Sequence, residues 1–300
     1  MRLVFIGFGE AAYNIASGLK AEGLIDIGAY DRNAADPQLG GLIQQRAAEV
    51  GVELFESLEG ACQAGEFIAC LTSANTALTI AELVIPRLKA EQVYIDMNSA
   101  APTIKADIAQ IPRNEGIMVC DAAVMGTVPG NKHKVPMFLA GDGAANFAEA
   151  FSPYGMKLTV LDAKAGGASA IKMFKSVIMK GLPQLMFESF EAAVKYGVLN
   201  TLVDSLASSL NGKTVEQLAD TFTARTMIHA ARRSEEMQDV VATLESLGVD
   251  AAMSKATVAK LDRLAERNWV ELLGADGDKM NYQDAIYSLI ENKERGAIDE

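Results

Sequence analysis

Residues 6–19 read IGFGEAAYNIASGL and are the most informative stretch of this 300-residue chain. An apolar run, LVFI at 3–6, comes directly before Gly7, Gly9 and Ala12, which are spaced as GxGxxA. In a strand–turn–helix unit the first glycine makes a tight turn, the second lets a ligand approach the backbone, and the small third residue lets helix and strand pack closely. The stretch therefore predicts the opening strand and helix of an α/β domain.

Short apolar runs alternate with helical patterns through the first half of the chain. They are LVFI at 3–6, IDIGAY at 25–30, FIACL at 67–71, VYID at 93–96, IMVC at 117–120, MFLA at 137–140 and MKLTVL at 156–161. Such alternation indicates parallel strands joined by crossover helices. Beyond these runs Ala, Leu, Met, Glu and Lys recur at helical spacing. We predict a doubly wound parallel sheet at 1–163 and an all-α domain at 164–300.

Composition limits the class of protein. Half of the residues are hydrophobic and the formal net charge is -12, so the chain can bury a full core beneath an acidic surface. Nucleic acids and anionic membranes need basic surfaces, so neither is an expected partner. Three cysteines without CxxC spacing and only two histidines argue against a metal site. Neither a secretory cleavage pattern nor an apolar run of about 18 residues is present, so we expect a cytoplasmic protein.

The glycine-rich turn predicts a dinucleotide site, because the helix that follows it directs its first backbone amides at a pyrophosphate. The residues expected to contact the cofactor here are Gly7, Phe8, Gly9, Glu10, Ala11 and Ala12. Asp31 ends the second strand about 20 residues later, where an acid accepts the ribose hydroxyls of NAD. Arg32 follows it and suits the 2′-phosphate of NADP, although it can equally stack on adenine or remain solvated. The cofactor is therefore NAD or NADP, with a narrow preference for NAD; the alternative is a similar turn that binds something else.

Three spaced segments resemble the β-hydroxyacid dehydrogenase family, which includes 6-phosphogluconate dehydrogenase. IGFGEAAYNIASGL is similar to the family's IGLGxMGxxMAxNL. IDMNSAAP at 95–102 and DAAVMGTVPGNKHKVPMFLAGDG at 121–143 are similar to its DxSTxxP and DAPVSGGxxGAxxGxLxxxVGG stretches. In AGGASAIKMFKS at 165–176, Gly166 and Lys172 fall on the family's GxGxxxKxxNN. The helical remainder resembles a less characterised, phosphogluconate-dehydrogenase-like branch.

The resemblance implies an α/β Rossmann domain followed by an all-helical domain. It also implies reversible hydride transfer between NAD or NADP and a hydroxyl carbon beta to a carboxylate. It gives Lys172 the role of proton donor and acceptor. On a helix starting near Gly166, Ser169, Lys172 and Ser176 share one face, and a poorly hydrated cleft would lower the pKa of the lysine. The alternative is a lysine that reaches solvent from an amphipathic helix. Ser176 replaces a family asparagine but keeps a hydroxyl, so it is the second candidate catalytic residue.

Further contacts are expected where later strands end, because the carboxyl ends of parallel strands line the ligand crevice. The candidates for cofactor contact are Leu71, Thr72, Ser73, Asn98 and Ser99; some of these polar residues could instead cap helices.

The substrate-binding stretch departs from the family pattern, since Met125, Gly126 and Thr127 replace its Ser-Gly-Gly. Met125 either faces a bulkier, more apolar substrate or turns into the core. Lys175 and Arg233 are candidate contacts for an anionic small-molecule substrate, with a solvated lysine and an intrahelical ion pair as the alternatives. The basic loop GNKHK at 130–134 either recruits anions or is simply solvated.

The leading functional hypothesis is an NAD(P)-dependent oxidoreductase with Lys172 as general acid and base. The alternatives are a lyase that retains its dinucleotide and a non-catalytic dinucleotide sensor. The apolar positions of the helical half, together with the resemblance, imply a homodimer.

Overall fold

The computed structural model describes residues 1–274 and 276–296. The chain forms two compact units: the first is Met1–Val177 and the second begins at Ile178. The sequence-based boundary at 163/164 lies just before the long helix in which the first unit ends.

Within the described residues, the first unit is built on an eight-stranded sheet. Its strands are β1 (Leu3–Ile6), β2 (Ile27–Tyr30), β3 (Glu53–Leu54), β4 (Phe67–Cys70), β5 (Val93–Asp96), β6 (Met118–Val124), β7 (Met137–Ala140) and β8 (Leu158–Val160). They lie in the order β3-β2-β1-β4-β5-β6-β7-β8. The order reverses between β1 and β4, which is the switch point where such sheets bind ligands. The predicted Rossmann-type α/β fold is confirmed.

Two strands depart from the predicted parallel arrangement. β7 runs antiparallel to β6, with Val124 opposite Met137, and β8 runs parallel to β7. A parallel return needs a crossover along the whole strand, whereas residues 125–136 contain only short turns and so bring the chain straight back beside β6. The two-residue strand β3 was also not predicted, because two residues give no alternation signal.

Helices cover both faces of this sheet. They are α1 (Glu10–Ala21), α2 (Gly40–Val50), α3 (Leu58–Ala64), α4 (Ala77–Val84), α5 (Pro102–Gln110), the single turn α6 (Val128–Asn131), α7 (Ala144–Phe151) and α8 (Gly167–Tyr196), which continues into the second unit. Successive residues of a strand point to opposite faces, so Val4 and Phe5 of β1 enter two separate hydrophobic cores. Both sides of the sheet are thereby buried.

The described part of the second unit is helical, as predicted. Beyond α8 it contains α9 (Leu199–Leu210), α10 (Val215–Ile228), α11 (Ala230–Ser246), α12 (Ala252–Ala265), α13 (Trp269–Leu273) and α14 (Tyr282–Gly296). Thr214 and Gln217 form a capping box at the start of α10, and the buried Trp269 packs with Met227 in a small core. Among the helices that the structure describes, none is both long and apolar enough to cross a membrane.

Candidate active site

The glycine-rich turn after β1 requires Gly7 for its own geometry. Gly7 has a φ of 90°, and its N–H donates to the Tyr30 carbonyl oxygen at 2.8 Å. A Cβ at this position would lie 2.4 Å from the Leu71 carbonyl oxygen. Gly9 differs, because a Cβ there would meet nothing within 4 Å. The protein's own packing therefore needs Gly7, whereas Gly9 keeps open the space in front of the first turn of α1.

This open space continues into a crevice at the carboxyl ends of β1, β2 and β4. The crevice has a volume of about 280 Å³, and its wall contains these predicted cofactor residues: Gly7, Gly9, Asp31, Arg32, Leu71, Thr72 and Ser73. Sequence analysis did not name Asn33, Thr76 or Ile80, which also line it. Asn33 and Thr76 follow the ends of β2 and β4, so the strand-end rule was the signal that could have found them.

Asp31 is fixed by two backbone amides. Its Oδ2 accepts from the N–H of Phe8 at 2.8 Å, and its Oδ1 accepts from the N–H of Asn33 at 2.9 Å. These bonds join the glycine-rich turn to the loop after β2. Arg32 is exposed on the same wall and makes no ion pair among the described residues. The crevice thus presents one immobilised carboxylate beside one unpaired guanidinium.

The remaining predicted residues of the turn do not line this crevice. The side chains of Phe8 and Ala12 are fully buried, and the Phe8 ring lies 6.2 Å from that of Phe5. Glu10 is exposed and Ala11 half-buried in the first turn of α1. Contacts from these positions would therefore come from the backbone or from Glu10.

Asn98 supports the crevice wall. Its Oδ1 accepts from the N–H of Thr72 at 2.7 Å, and its Nδ2 donates to the Sγ of Cys70 at 3.3 Å. The side chain is 6% exposed, so it holds the loop after β4 against the loop after β5. Ser99, the next residue, is exposed.

Lys172 and Ser99 meet. The Lys172 Nζ donates to the Ser99 Oγ at 2.7 Å, although the two residues are 73 positions apart in the sequence. Lys172 is half-buried. Burial lowers the pKa of its amine, and the nearby positive charge of Lys105 lowers it further. A lysine with a lowered pKa is therefore hydrogen-bonded to a hydroxyl on the loop beside the crevice.

A buried charge cluster that sequence analysis missed lies between β5, β6 and α5. The Nζ of Lys105, whose side chain has no exposed surface, is 2.9 Å from the Asp96 Oδ1 and 3.3 Å from the Asp121 Oδ1. The two aspartates are paired in register across β5 and β6. Both lie within the segments that resemble the dehydrogenase family, but the resemblance gave them no role.

The rest of the predicted helix face is used in several ways. Ser169 is buried and donates its Oγ to the Asp121 Oδ1 at 2.7 Å. The Ser176 Oγ donates to the Lys172 carbonyl oxygen at 3.0 Å, so its proton is engaged by the backbone while its oxygen can still accept. Lys175 is exposed.

The substrate-binding candidates are spread over the chain. Met125 is half-buried and packs on a small core that includes Ala168, whereas Gly126 and Thr127 are exposed. Arg233 belongs to the second unit, where its guanidinium donates to the Thr226 Oγ1 at 2.7 Å. The first unit thus brings together Lys172, Ser99 and the crevice loops, and Arg233 is engaged elsewhere.

Comparison with known proteins shows the family of this chain. Residues 2–161, more than half of the chain, match the NAD binding domain of 6-phosphogluconate dehydrogenase. The chain belongs to this family. Residues 193–264 match a domain of unknown function. Membership in the family, together with the crevice, supports an NAD(P)-dependent oxidoreductase.

Several solved structures are similar to this chain. A conserved hypothetical protein from Sinorhizobium meliloti is 33% identical, with 96% of this chain and 95% of that chain covered and a TM-score of 0.65. A conserved protein of unknown function, described as structurally similar to 3-hydroxyacid dehydrogenases, is 27% identical over 89% of this chain and 97% of its own, with a TM-score of 0.62. An imine reductase from Myxococcus stipitatus in complex with NAD⁺ is 14% identical over 96% of this chain and 98% of that chain, with a TM-score of 0.72. This last likeness shows the fold alone.

Proposed function

We propose that this protein is a dehydrogenase or reductase that moves a hydride between nicotinamide and a β-hydroxy acid or a related hydroxyl or carbonyl compound. Lys172 exchanges the accompanying proton. The observation that carries the proposal is the 2.7 Å hydrogen bond from the Lys172 Nζ to Ser99, made by an amine whose pKa burial lowers. Partial burial disfavours the charged form of this lysine, so its amine exchanges a proton more readily than that of a fully solvated lysine.

The crevice residues fit a dinucleotide. The space in front of Gly9 leaves the first amides of α1 free for phosphate oxygens, and Asp31 stands at the end of β2, where ribose hydroxyls are bound. A volume of about 280 Å³ is near the lower end of the range for ligand pockets, which suits the adenosine half. A bound NAD(P)⁺ would supply the acceptor for a hydride, that is, the hydrogen of the substrate C–H bond with both of its electrons.

The task of Lys172 follows from its protonation state. In the direction of oxidation the neutral amine takes the proton of the substrate hydroxyl while the carbon–oxygen double bond forms, and in reduction the ammonium returns it. The lowered pKa makes the neutral form available closer to neutral pH. The Ser99 hydroxyl holds the amine in place, and a substrate hydroxyl can replace it or share it.

The substrate contacts we propose lie around this amine. Ser176 keeps an oxygen that can accept a hydrogen bond, and Lys175 is an exposed cation one turn along the same helix. Gly126 offers a backbone amide and Thr127 a hydroxyl. An anionic small molecule is the substrate class that such groups bind.

NAD is the cofactor we propose in preference to NADP. The carboxylate of Asp31 is held in the crevice wall by Phe8 and Asn33, so its charge cannot turn away from a 2′-phosphate. An imine reductase of the same fold was solved with NAD⁺ and a reductive aminase with NADPH, so the fold itself accepts both. A measured preference for NADP would mean that attraction of the 2′-phosphate to Arg32 outweighs its repulsion by Asp31.

The test is nicotinamide absorbance with a panel of β-hydroxy acids and related carbonyl compounds, using the unaltered protein, Lys172→Met and the exposed-lysine control Lys157→Met. We expect turnover in the unaltered protein and the control, and a loss of about 10²- to 10⁴-fold in kcat in Lys172→Met with cofactor binding retained. Unchanged turnover in Lys172→Met would remove this lysine from the mechanism. Substrate cleavage without net change in nicotinamide would point to a lyase, and dinucleotide binding without any turnover would point to a sensor.

A homodimer is part of the proposal. The long helix α8 exposes large apolar side chains, among them Phe174 at 69%, Val177 at 70% and Phe187 at 68%. Apolar side chains at this exposure are costly in water and mark protein–protein interfaces. Light scattering should give twice the mass of the chain, and Phe187→Glu should shift the mass toward the monomer.

A further inference from the structure

Lys105 lies at the centre of a buried network with two arms. The first arm runs through Asp96 to the loop that bears Ser99. The Lys105 Nζ donates to the Asp96 carbonyl oxygen at 2.8 Å and to its Oδ1 at 2.9 Å. The same Oδ1 accepts from the N–H of Asn98 at 2.8 Å. Because Ser99 follows directly, Asp96 holds the backbone from which its side chain extends.

The second arm runs through Asp121 to the helix that bears Lys172. The Asp121 Oδ2 accepts from the N–H groups of Gly166 and Ser169, each at 3.0 Å, and its Oδ1 accepts from the Ser169 Oγ at 2.7 Å. The carboxylate therefore satisfies two of the backbone amides at the start of α8. Lys172 lies three residues after Ser169 on the same helix, so the Asp121 carboxylate also helps to position the backbone that carries the Lys172 amine.

Packing leaves the two arms little freedom. Gly166 has a φ of 100°, and a Cβ there would lie 2.6 Å from the carbonyl oxygen of Pro102, the first residue of α5. Lys105 is one turn further along α5. The start of α8 thus packs closely against α5, the helix that carries Lys105. The two carboxylates, Lys105 and Gly166 therefore form one tightly packed cluster.

The cost of this arrangement argues for a task. Charged groups lose hydration when they are buried, and an apolar cluster of similar volume commonly folds at least as stably. The buried Asp96 Oδ2 even lacks a hydrogen-bond partner among the described residues. Charges of this kind do provide fixed geometry, because hydrogen bonds to ions are short and directional.

We propose that Lys105, through Asp96 and Asp121, is a positioning residue that fixes the helix carrying Lys172 and the loop carrying Ser99 relative to each other. The proposal rests on the function proposed above. Lys105 touches neither substrate nor cofactor in this role. It keeps the Lys172 amine within hydrogen-bond distance of the Ser99 hydroxyl, which holds the amine where it can exchange a proton with the substrate.

Two variants separate this role from simple loss of folding. Lys105→Met leaves two buried carboxylates without a counter-ion, which is strongly destabilising, so the decisive variant is Lys105→Met combined with Asp121→Asn. The double variant removes one positive and one negative charge, which leaves the net charge of the cluster unchanged, and the new amide fills nearly the same volume as the carboxylate. Lys157→Met is the control for the loss of an exposed lysine. Folding is checked by thermal melting and by titration with NADH.

The first measurement is kcat, KM and the pH profile of turnover. We expect kcat of the double variant to fall by about 10- to 100-fold, with the KM for cofactor changed less than about threefold. In Lys105→Met, where it folds, the pH limb due to Lys172 should move upward, because a nearby positive charge that lowers its pKa is gone. A folded double variant with unaltered kcat and pH profile would overturn the proposal.

The second measurement does not depend on turnover. Trace acetylation at a series of pH values, read by mass spectrometry, reports the reactivity of Lys172, with Lys175 in the same peptide region as reference. We expect the Lys172-to-Lys175 reactivity ratio and its pH dependence to change in both Lys105 variants and to stay constant in Lys157→Met. If that change occurs while no substrate is turned over, the proposed function fails and the positioning role stands. If turnover is found but neither kcat nor labelling responds to Lys105, the positioning role fails.

Discussion

The two glycines of the opening turn should respond to the same substitution in opposite ways. Gly7→Ala places a methyl group 2.4 Å from the Leu71 carbonyl oxygen and forces alanine to a φ of 90°. Gly9→Ala places it where no protein atom lies within 4 Å. Gly7→Ala should therefore destabilise the fold, whereas Gly9→Ala should weaken only cofactor binding.

The expected sizes follow from these contacts. At Gly7 the backbone strain costs about 1–3 kcal/mol, and moving the loop after β4 away from the new methyl group costs about 1–3 kcal/mol more. For a unit of this size the sum lowers Tm by roughly 5–15 °C. At Gly9 the free energy of unfolding should fall by no more than about 1 kcal/mol, because alanine is a poorer N-cap than glycine but adopts the extended backbone found there without strain. Cofactor affinity should fall about 10- to 100-fold, since hydrogen bonds from amides to a charged phosphate are worth about 1.5–3 kcal/mol.

Thermal melts without cofactor and fluorescence titrations with NADH measure both quantities on the same samples. The reasoning is refuted if Gly9→Ala binds NADH as tightly as the unaltered protein. It is equally refuted if Gly7→Ala melts at the unaltered temperature, because the turn would then not depend on the conformation that the structure shows.

Three further outcomes are expected. In pH profiles, the rate of oxidation should rise with pH and level off below the ordinary lysine pKa of 10.5, because burial lowers the pKa of Lys172 and its neutral form is the base. The rate of reduction should fall over the same pH range. Neither pH dependence should remain in Lys172→Met. Asp31→Asn should raise the ratio of kcat/KM for NADP over NAD by about tenfold, measured at equal ionic strength, because the charge facing the 2′-phosphate is removed. Gly18→Ala should destabilise the protein by about 1–3 kcal/mol, because its Cβ would lie 2.0 Å from the His133 Nδ1. In a His133→Ala background the same substitution should stabilise the protein by about 0.5–1 kcal/mol, because alanine favours the helix more than glycine does. Thermal melts of the four proteins test this change of sign.

Features that depend on local sequence were predictable. The turn at Gly7 needs a glycine for its own φ, and β1, β2, β4 and β5 are buried on both faces, so each leaves a continuous apolar run. The strand-end rule then placed Asp31, Thr72 and Ser73 in one crevice wall without knowledge of the pairing.

Features that depend on non-local pairing were not predictable in the same way. The direction of β7 is set by the short connection before it, and the run MFLA reads the same in either direction. The loop GNKHK has a polar sequence, yet His133 is 4% exposed and packs against Gly18 of α1, while Lys134 pairs with Glu22 at 2.6 Å. Burial of this histidine required a glycine on the facing helix more than a hundred residues earlier.

The two lysines of the site show where sequence patterns stop being informative. Lys172 stands among small and apolar residues on a predicted helix, which made it a candidate. Lys105 also lies on an amphipathic helix, with Ile108 buried three residues later, but its sequence surroundings predicted no role. A periodic pattern tells which face of a helix is covered and not what covers it. For Lys105 the answer is a pair of carboxylates that become neighbours only because β5 and β6 pair with Asp96 opposite Asp121, and a shift of one residue in that register would turn one carboxylate to the other face of the sheet. The chemistry of the site thus depends on strand register, which is a property of the whole sheet and not of any segment read alone.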